Sequence, residues 1–108
     1  MIYCFDIDGT ICKTIGTDYE NAKPIKSVIE KINEVYDSGH DIIIYTARGM
    51  GTLNGDVAKV YDTWYEFTKN QLIEWGLRYH QLILGKPTAD VYIDDKSMNI
   101  DDWLKSYK

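Results

Sequence analysis

Apolar positions along this chain follow two rhythms that take turns, one continuous or of period two, the other of period three to four. Residues 2–7, IYCFDI, read as a strand, the apparent centre of a sheet, running out into Asp6, Asp8, Gly9 and Thr10. The next stretch, TICKTIGTDYENAK, is polar and broken, and reads as a loop or small flap. Pro24 suits a first helical turn, and Ile25, Val28, Ile29, Ile32, Val35 and Tyr36 recur at helical spacing until Ser38-Gly39. DIIIYT (41–46) is a continuous β-branched run, as expected of a strand covered on both faces. ARGMGTLNGD holds three glycines and predicts a loop. From about Asp56 to Trp75 a second helix places Val57, Val60, Tyr61, Trp64, Phe67 or Thr68, Leu72 and Trp75 on one side, with Gly76 as its cap. YHQLIL (79–84) and DVYID (90–94) predict a third and a fourth strand, and a short helix carries Ile100, Trp103 and Leu104.

Strands alternating with helices predict an α/β fold, a three-layer Rossmann-like sandwich around a mainly parallel sheet with right-handed crossovers. At 108 residues the chain is the size of a single domain. No run approaches the ~20 apolar residues of a membrane span, and Met1 leads straight into a strand, so a cytoplasmic location is the default expectation. Cys4 and Cys12 are too few for a disulfide framework and lack metal-ligand spacing; both read as buried, Cys4 as a small core residue. The net charge of −5 argues against nucleic acid as a partner. An anionic substrate could approach so acidic a chain only beside a cation.

Parallel sheets bind ligands beyond the carboxyl ends of their strands. There the first predicted strand delivers Asp6 and Asp8, the second Thr46, Ala47 and Arg48, the third Gly85-Lys86-Pro87, and the fourth Asp94-Asp95. Carboxylates from two strands make an oxygen-rich site suited to Mg²⁺, which takes carboxylates and keeps phosphate oxygens as further ligands. One carboxylate can attack phosphorus and a second can move the proton, while a hydroxyl and an ammonium hold the phosphoryl oxygens.

The ordered set D-x-D-G-T, Thr46, Lys86 and Asp94-Asp95 resembles the motifs of the haloacid dehalogenase-like phosphatases, over residues 6–95. The resemblance implies Asp6 as nucleophile, Asp8 as general acid/base, and Thr46 and Lys86 as phosphate ligands. It implies Mg²⁺ on the Asp6 carboxylate, the Asp8 backbone carbonyl and the pair Asp94 and Asp95, one of them directly and the other through water, with Asp95 the choice for the direct ligand. Members of that family usually insert a cap domain. Roughly thirty residues separate Asp8 from Asp41, and about thirty-six separate Arg48 from Gly85, and the two helices consume most of both. The chain therefore resembles the capless form, with only the flap at 10–21 over the site.

Arg48, emerging at the lip of that site, is expected to contact a substrate anion. His40 and His80 lie away from the carboxyl ends and are expected to be structural. Three tryptophans and nine tyrosines exceed what a small core needs, which points to a homo-oligomeric interface covering the open site. The expected substrate is a small phosphorylated metabolite such as a sugar or polyol phosphate, and the resemblance adds an association with surface-polysaccharide biosynthesis. A phosphorelay receiver shares the residue types but opens on its acidic pair, whereas here the pair comes last. A non-catalytic binding domain on the same fold would be expected to lack Asp6, Asp8 or Lys86, and all three are present.

Overall fold

The structure, a computed structural model, describes residues 1–106. The most β-branched segment becomes the middle of the sheet. Strand β4 (Asp41–Thr46) pairs in parallel with β1 (Ile2–Phe5) on one side and with β5 (Gln81–Leu84) on the other. The ladders run from Ile2 opposite Asp41 to Phe5 opposite Ile44, and from Ile43 opposite Gln81 to Thr46 opposite Leu84. Both ladders close near the same end, so Asp6, Ala47 and Gly85 leave the sheet together. Ile42, Ile44 and Thr46 are buried while Ile43 and Tyr45 are half-covered, so β4 is sealed completely on one face only.

Helix α1 (Lys26–Asp37) lays Val28, Ile29, Ile32 and Val35 into the core. Pro24 does not open it. Pro24 instead pairs with Cys12 in a two-residue antiparallel ladder between β2 (Cys12–Lys13) and β3 (Lys23–Pro24), where a missing N–H is tolerated at an edge. With a single 3-10 turn at Tyr19–Asn21, these two strands turn the polar stretch into a compact flap. Helix α2 (Val57–Glu74) starts where Asp56 Oδ1 accepts a hydrogen bond from the Lys59 N–H and ends at Gly76, whose φ of 75° no β-carbon-bearing residue adopts cheaply. Its buried stripe is Val60, Thr68, Gln71 and Leu72, more polar than the expected one, and Val57 is largely exposed. Helix α3 (Ile100–Ser106) returns to the start of the chain: Trp103 packs edge-on against Phe5 at 4.9 Å, and Lys31 Nζ donates to the Leu104 carbonyl at 2.6 Å.

Three expectations fail at the outer edge of β1. DVYID forms no strand: residues 90–94 run exposed, with Val91 71% and Ile93 92% accessible. Local contacts outcompete the ladder. The Tyr92 hydroxyl donates to the Pro87 carbonyl, Lys86 Nζ lies 4.2 Å from the Tyr92 ring centroid, and Asp94 Oδ1 accepts the Lys96 N–H in a tight turn. Consequently β1 is an edge strand rather than the centre of the sheet. Cys4, expected in the core, is exposed because no neighbouring strand among the described residues covers that edge. No cap is evident among the described residues, and no helix there is long and apolar enough to cross a membrane.

Gly49 fixes the loop after β4. Its φ is 79°, its N–H donates to the Tyr19 hydroxyl at 3.2 Å, and an added β-carbon would lie 2.5 Å from Trp64 Cδ1. Gly55 has a similar φ of 73° with open space beside it. Gly49→Ala should cost about 2–5 kcal/mol of unfolding free energy, strain plus overlap, against about 1–2 kcal/mol for Gly55→Ala from strain alone. Urea titration of both variants checks the difference; equal losses would mean that Trp64 yields freely.

Candidate active site

The D-x-D-G-T segment turns sharply because one buried residue anchors it. Ile7 is fully buried, and its carbonyl accepts from the N–H groups of Thr10, Ile11 and Cys12 at 3.0, 2.8 and 3.3 Å. Gly9, at φ 85°, closes the turn by donating to the Cys12 carbonyl at 2.9 Å. With Ile7 pinned inward, Asp6 and Asp8 on either side of it are left at the half-open surface. Beside this turn lies a 490 Å³ cavity walled by Gly9, Thr10 and Lys13 together with residues of α1 and α3.

Asp6 is two-thirds covered, and burial pushes its carboxyl above the ordinary value of 3.8. The Lys86 ammonium works against that rise, with Nζ 4.0 Å from Asp6 Oδ2. Lys86 is set there by its own backbone, whose N–H continues the sheet ladder onto the Thr46 carbonyl at 3.1 Å. Thr46 is buried, and its Oγ1 accepts the Arg48 N–H at 3.2 Å. Asp6, Lys86 and the end of β4 are thus brought together as the strand-end pattern predicts.

Arg48 is not at the lip. Its side chain is fully buried, and it grips Asp8 with two parallel bonds, Nε to Oδ2 at 2.9 Å and Nη2 to Oδ1 at 3.0 Å. The expected contact between Arg48 and a substrate anion is therefore replaced by an internal ion pair, because the chain after Thr46 turns inward toward α2. Nη1 donates to Gln71 Oε1 at 2.7 Å, Gln71 Nε2 donates to the Tyr19 carbonyl at 2.7 Å, and the Tyr19 ring lies 4.8 Å from the guanidinium. Thr14 Oγ1 also donates to Asp8 Oδ1, at 2.5 Å, and Cys12 Sγ sits 3.5 Å from the same oxygen. Burial pushes the Cys12 thiol up, so it stays protonated as a small packing group.

Asp94 and Asp95 stand apart from this cluster. Both are exposed, and the Lys96 backbone N–H holds the Asp94 carboxyl below its ordinary range. Among the described residues no three His, Cys, Asp or Glu side chains gather to hold a metal ion, so this arrangement does not complete a Mg²⁺ site. His40 and His80 do serve the framework: His40 Nδ1 meets the amino terminus at 2.9 Å, and His80 Nδ1 accepts the Ile42 N–H at 3.0 Å.

Thr14, Tyr19, Thr68 and Gln71 were not expected at the site. The one legible trace was polarity at positions 68 and 71 on the buried stripe of α2, where a partner had to exist.

No family model matches the chain, and no curated relative matches it. A solved crystal structure from Vibrio cholerae, described as a structural-genomics target, is similar to it at 29% identity and a TM-score of 0.92. The likeness covers 98% of this chain and 89% of that one, and its description names no activity. The backbone path is shared.

Asp6 holds its proton more tightly in the folded state than in the unfolded one. The native chain therefore binds more protons just above pH 3.8, and stability falls as pH rises through the raised folded value. In chelator-containing buffer Asp6→Asn should raise the melting temperature at pH 7, with the gain fading as pH drops toward 3.8. A lower melting temperature at pH 7 would mean that the Lys86 pairing outweighs the cost of burial.

Proposed function

We propose that this chain is a phosphomonoester phosphatase of the haloacid dehalogenase-like type, working through an aspartyl-phosphate on Asp6. The observation that carries the reading is a partly buried carboxylate at a strand end, 4.0 Å from a lysine, beside a second carboxylate held in a fixed orientation two residues later. A Rossmann-like layering without a cap belongs to the same reading, and the parallel sheet supports it.

In the proposed reaction an Asp6 oxygen attacks phosphorus, and the bond from phosphorus to the ester oxygen breaks as the Asp6–phosphorus bond forms. Asp8, which has to enter the cycle protonated despite its pairing with Arg48, gives that proton to the departing alkoxide. Asp8 then takes a proton from water, whose oxygen attacks phosphorus and returns Asp6 as a carboxylate. Lys86 balances charge on the phosphoryl oxygens, and Thr46, whose oxygen already accepts from Arg48, has its O–H left to donate. The open site suits a small phosphorylated metabolite such as a sugar or polyol phosphate, and resemblance alone suggests surface-polysaccharide biosynthesis in the cytoplasm. A homo-oligomer that narrows the site belongs to the same reading, although Tyr36, Tyr61, Trp64, Tyr65 and Trp75 pack half-buried against the core.

The reading calls for Mg²⁺, and the side chains as arranged do not hold it. Pairing of residues 90–94 in parallel with the outer edge of β1 would carry Asp94 and Asp95 to the end where Asp6 stands. The bare edge, with Ile2 and Cys4 exposed, and the exposed Val91 and Ile93 support such a strand addition, which would cover apolar surface on both sides.

With a generic aryl phosphate and Mg²⁺, Asp6→Asn should abolish turnover, and Asp8→Asn should slow an alkyl ester by ~10²–10⁴-fold. Undiminished turnover by Asp6→Asn would sink the mechanism. Separately, Mg²⁺ should slow amide hydrogen exchange across 90–94 and chelator should restore it. Mg²⁺-dependent activity with unchanged exchange there would show that the cation is held without the fourth strand.

A further inference from the structure

Arg48 is the largest fully buried side chain of the fold, and every polar atom of the guanidinium that the site uses is spoken for. Burying a cation is costly unless it is paired and hydrogen-bonded, and a position that only filled space would take an apolar residue more cheaply. The question is what the pairing accomplishes. The two oxygens of Asp8 are treated differently. Oδ1 accepts from Arg48 Nη2 at 3.0 Å and Thr14 Oγ1 at 2.5 Å, with Cys12 Sγ at 3.5 Å, which fills both of its lone pairs. Among the described residues Oδ2 accepts only from Arg48 Nε, at 2.9 Å. It therefore keeps a lone pair for a proton.

We propose that Arg48 is a positioning residue for Asp8: its fork fixes the carboxylate plane so that Oδ2 is the oxygen that exchanges the proton with the leaving group and with water. The inference rests on the phosphatase reading of the site. A guanidinium suits the task because its two N–H bonds are parallel and coplanar, so they set a plane, whereas an ammonium sets only a distance. The anchor behind it is equally directional. Gln71 Oε1 and Thr68 Oγ1 receive Nη1 at 2.7 and 3.4 Å, and Tyr19 flanks the guanidinium, so α2 and the flap both hold the fork still.

A positioning role predicts a defect that depends on the leaving group. An alkyl phosphate needs a proton as its ester bond breaks; p-nitrophenyl phosphate releases a stable phenolate and does not. Arg48→Lys and Arg48→Gln should lower kcat/KM for an alkyl phosphate by ~10²-fold or more, near the full contribution of a general acid, and lower it far less for p-nitrophenyl phosphate. Val60→Ala, which weakens the core away from the guanidinium, should reduce stability and leave the ratio of the two substrates unchanged. Equal losses on both esters in Arg48→Lys would overturn the positioning role while leaving the phosphatase reading intact. A wild-type protein inert toward both esters would overturn that reading and this inference together. Should Arg48→Gln lose its cooperative melt, Thr14→Val removes a donor from Oδ1 with the guanidinium in place. It should shift the ratio in the same direction, and an unchanged ratio would count against the proposal.

Discussion

The buried pair between Arg48 and Asp8 is the contact on which the other parts of this small structure converge. It joins the turn after β1 to the loop after β4, and through Gln71 and Tyr19 it also reaches α2 and the flap. Four segments from three separate regions of the chain thus meet at one guanidinium. Its cost is offset only while all the partners stay in register, since a broken buried pair leaves an uncompensated charge. The neighbourhood of the candidate site is held by polar geometry more than by apolar packing, and Gly49 is shaped to let the chain turn inward at that point.

The sheet contributes a different constraint. Because β1 and β5 both pair in parallel with β4, their carboxyl ends emerge side by side, and Asp6 and Lys86 meet just beyond the last residues of their strands. Burial and the lysine pull the Asp6 carboxyl in opposite directions, with burial the stronger. A half-covered carboxylate whose countercharge sits 4.0 Å away is poorly solvated by comparison with a surface acid, which suits a group that is proposed to attack phosphorus.

Much of this is legible in the residues, and each failure has its own physical cause. The helical stripes of α1 and α2, the β-branched run of β4 and the placement of Asp6, Thr46 and Lys86 at strand ends all follow from local pattern. Arg48 was misplaced because position after a strand says where a residue leaves the sheet, not whether the loop then folds inward. Gln71, Thr68 and Tyr19 became meaningful only once that burial was known. DVYID has strand-like residues, yet a five-residue segment between carboxylates has little to gain over the turn at Asp94 and the contact of Tyr92 with Pro87. Cys4 followed that error, since its burial depended on the missing neighbour.

The proposed mechanism puts the phosphoryl group on Asp6. It is tested most directly by mixing the protein with a small phosphomonoester and Mg²⁺, quenching in acid within a turnover, and sequencing peptides by mass spectrometry. That mechanism leaves a phosphoryl group on the peptide spanning Met1–Lys13, on Asp6, and none in Asp6→Asn. Turnover with no phosphoryl group on that peptide, or with one on a different residue, would contradict it.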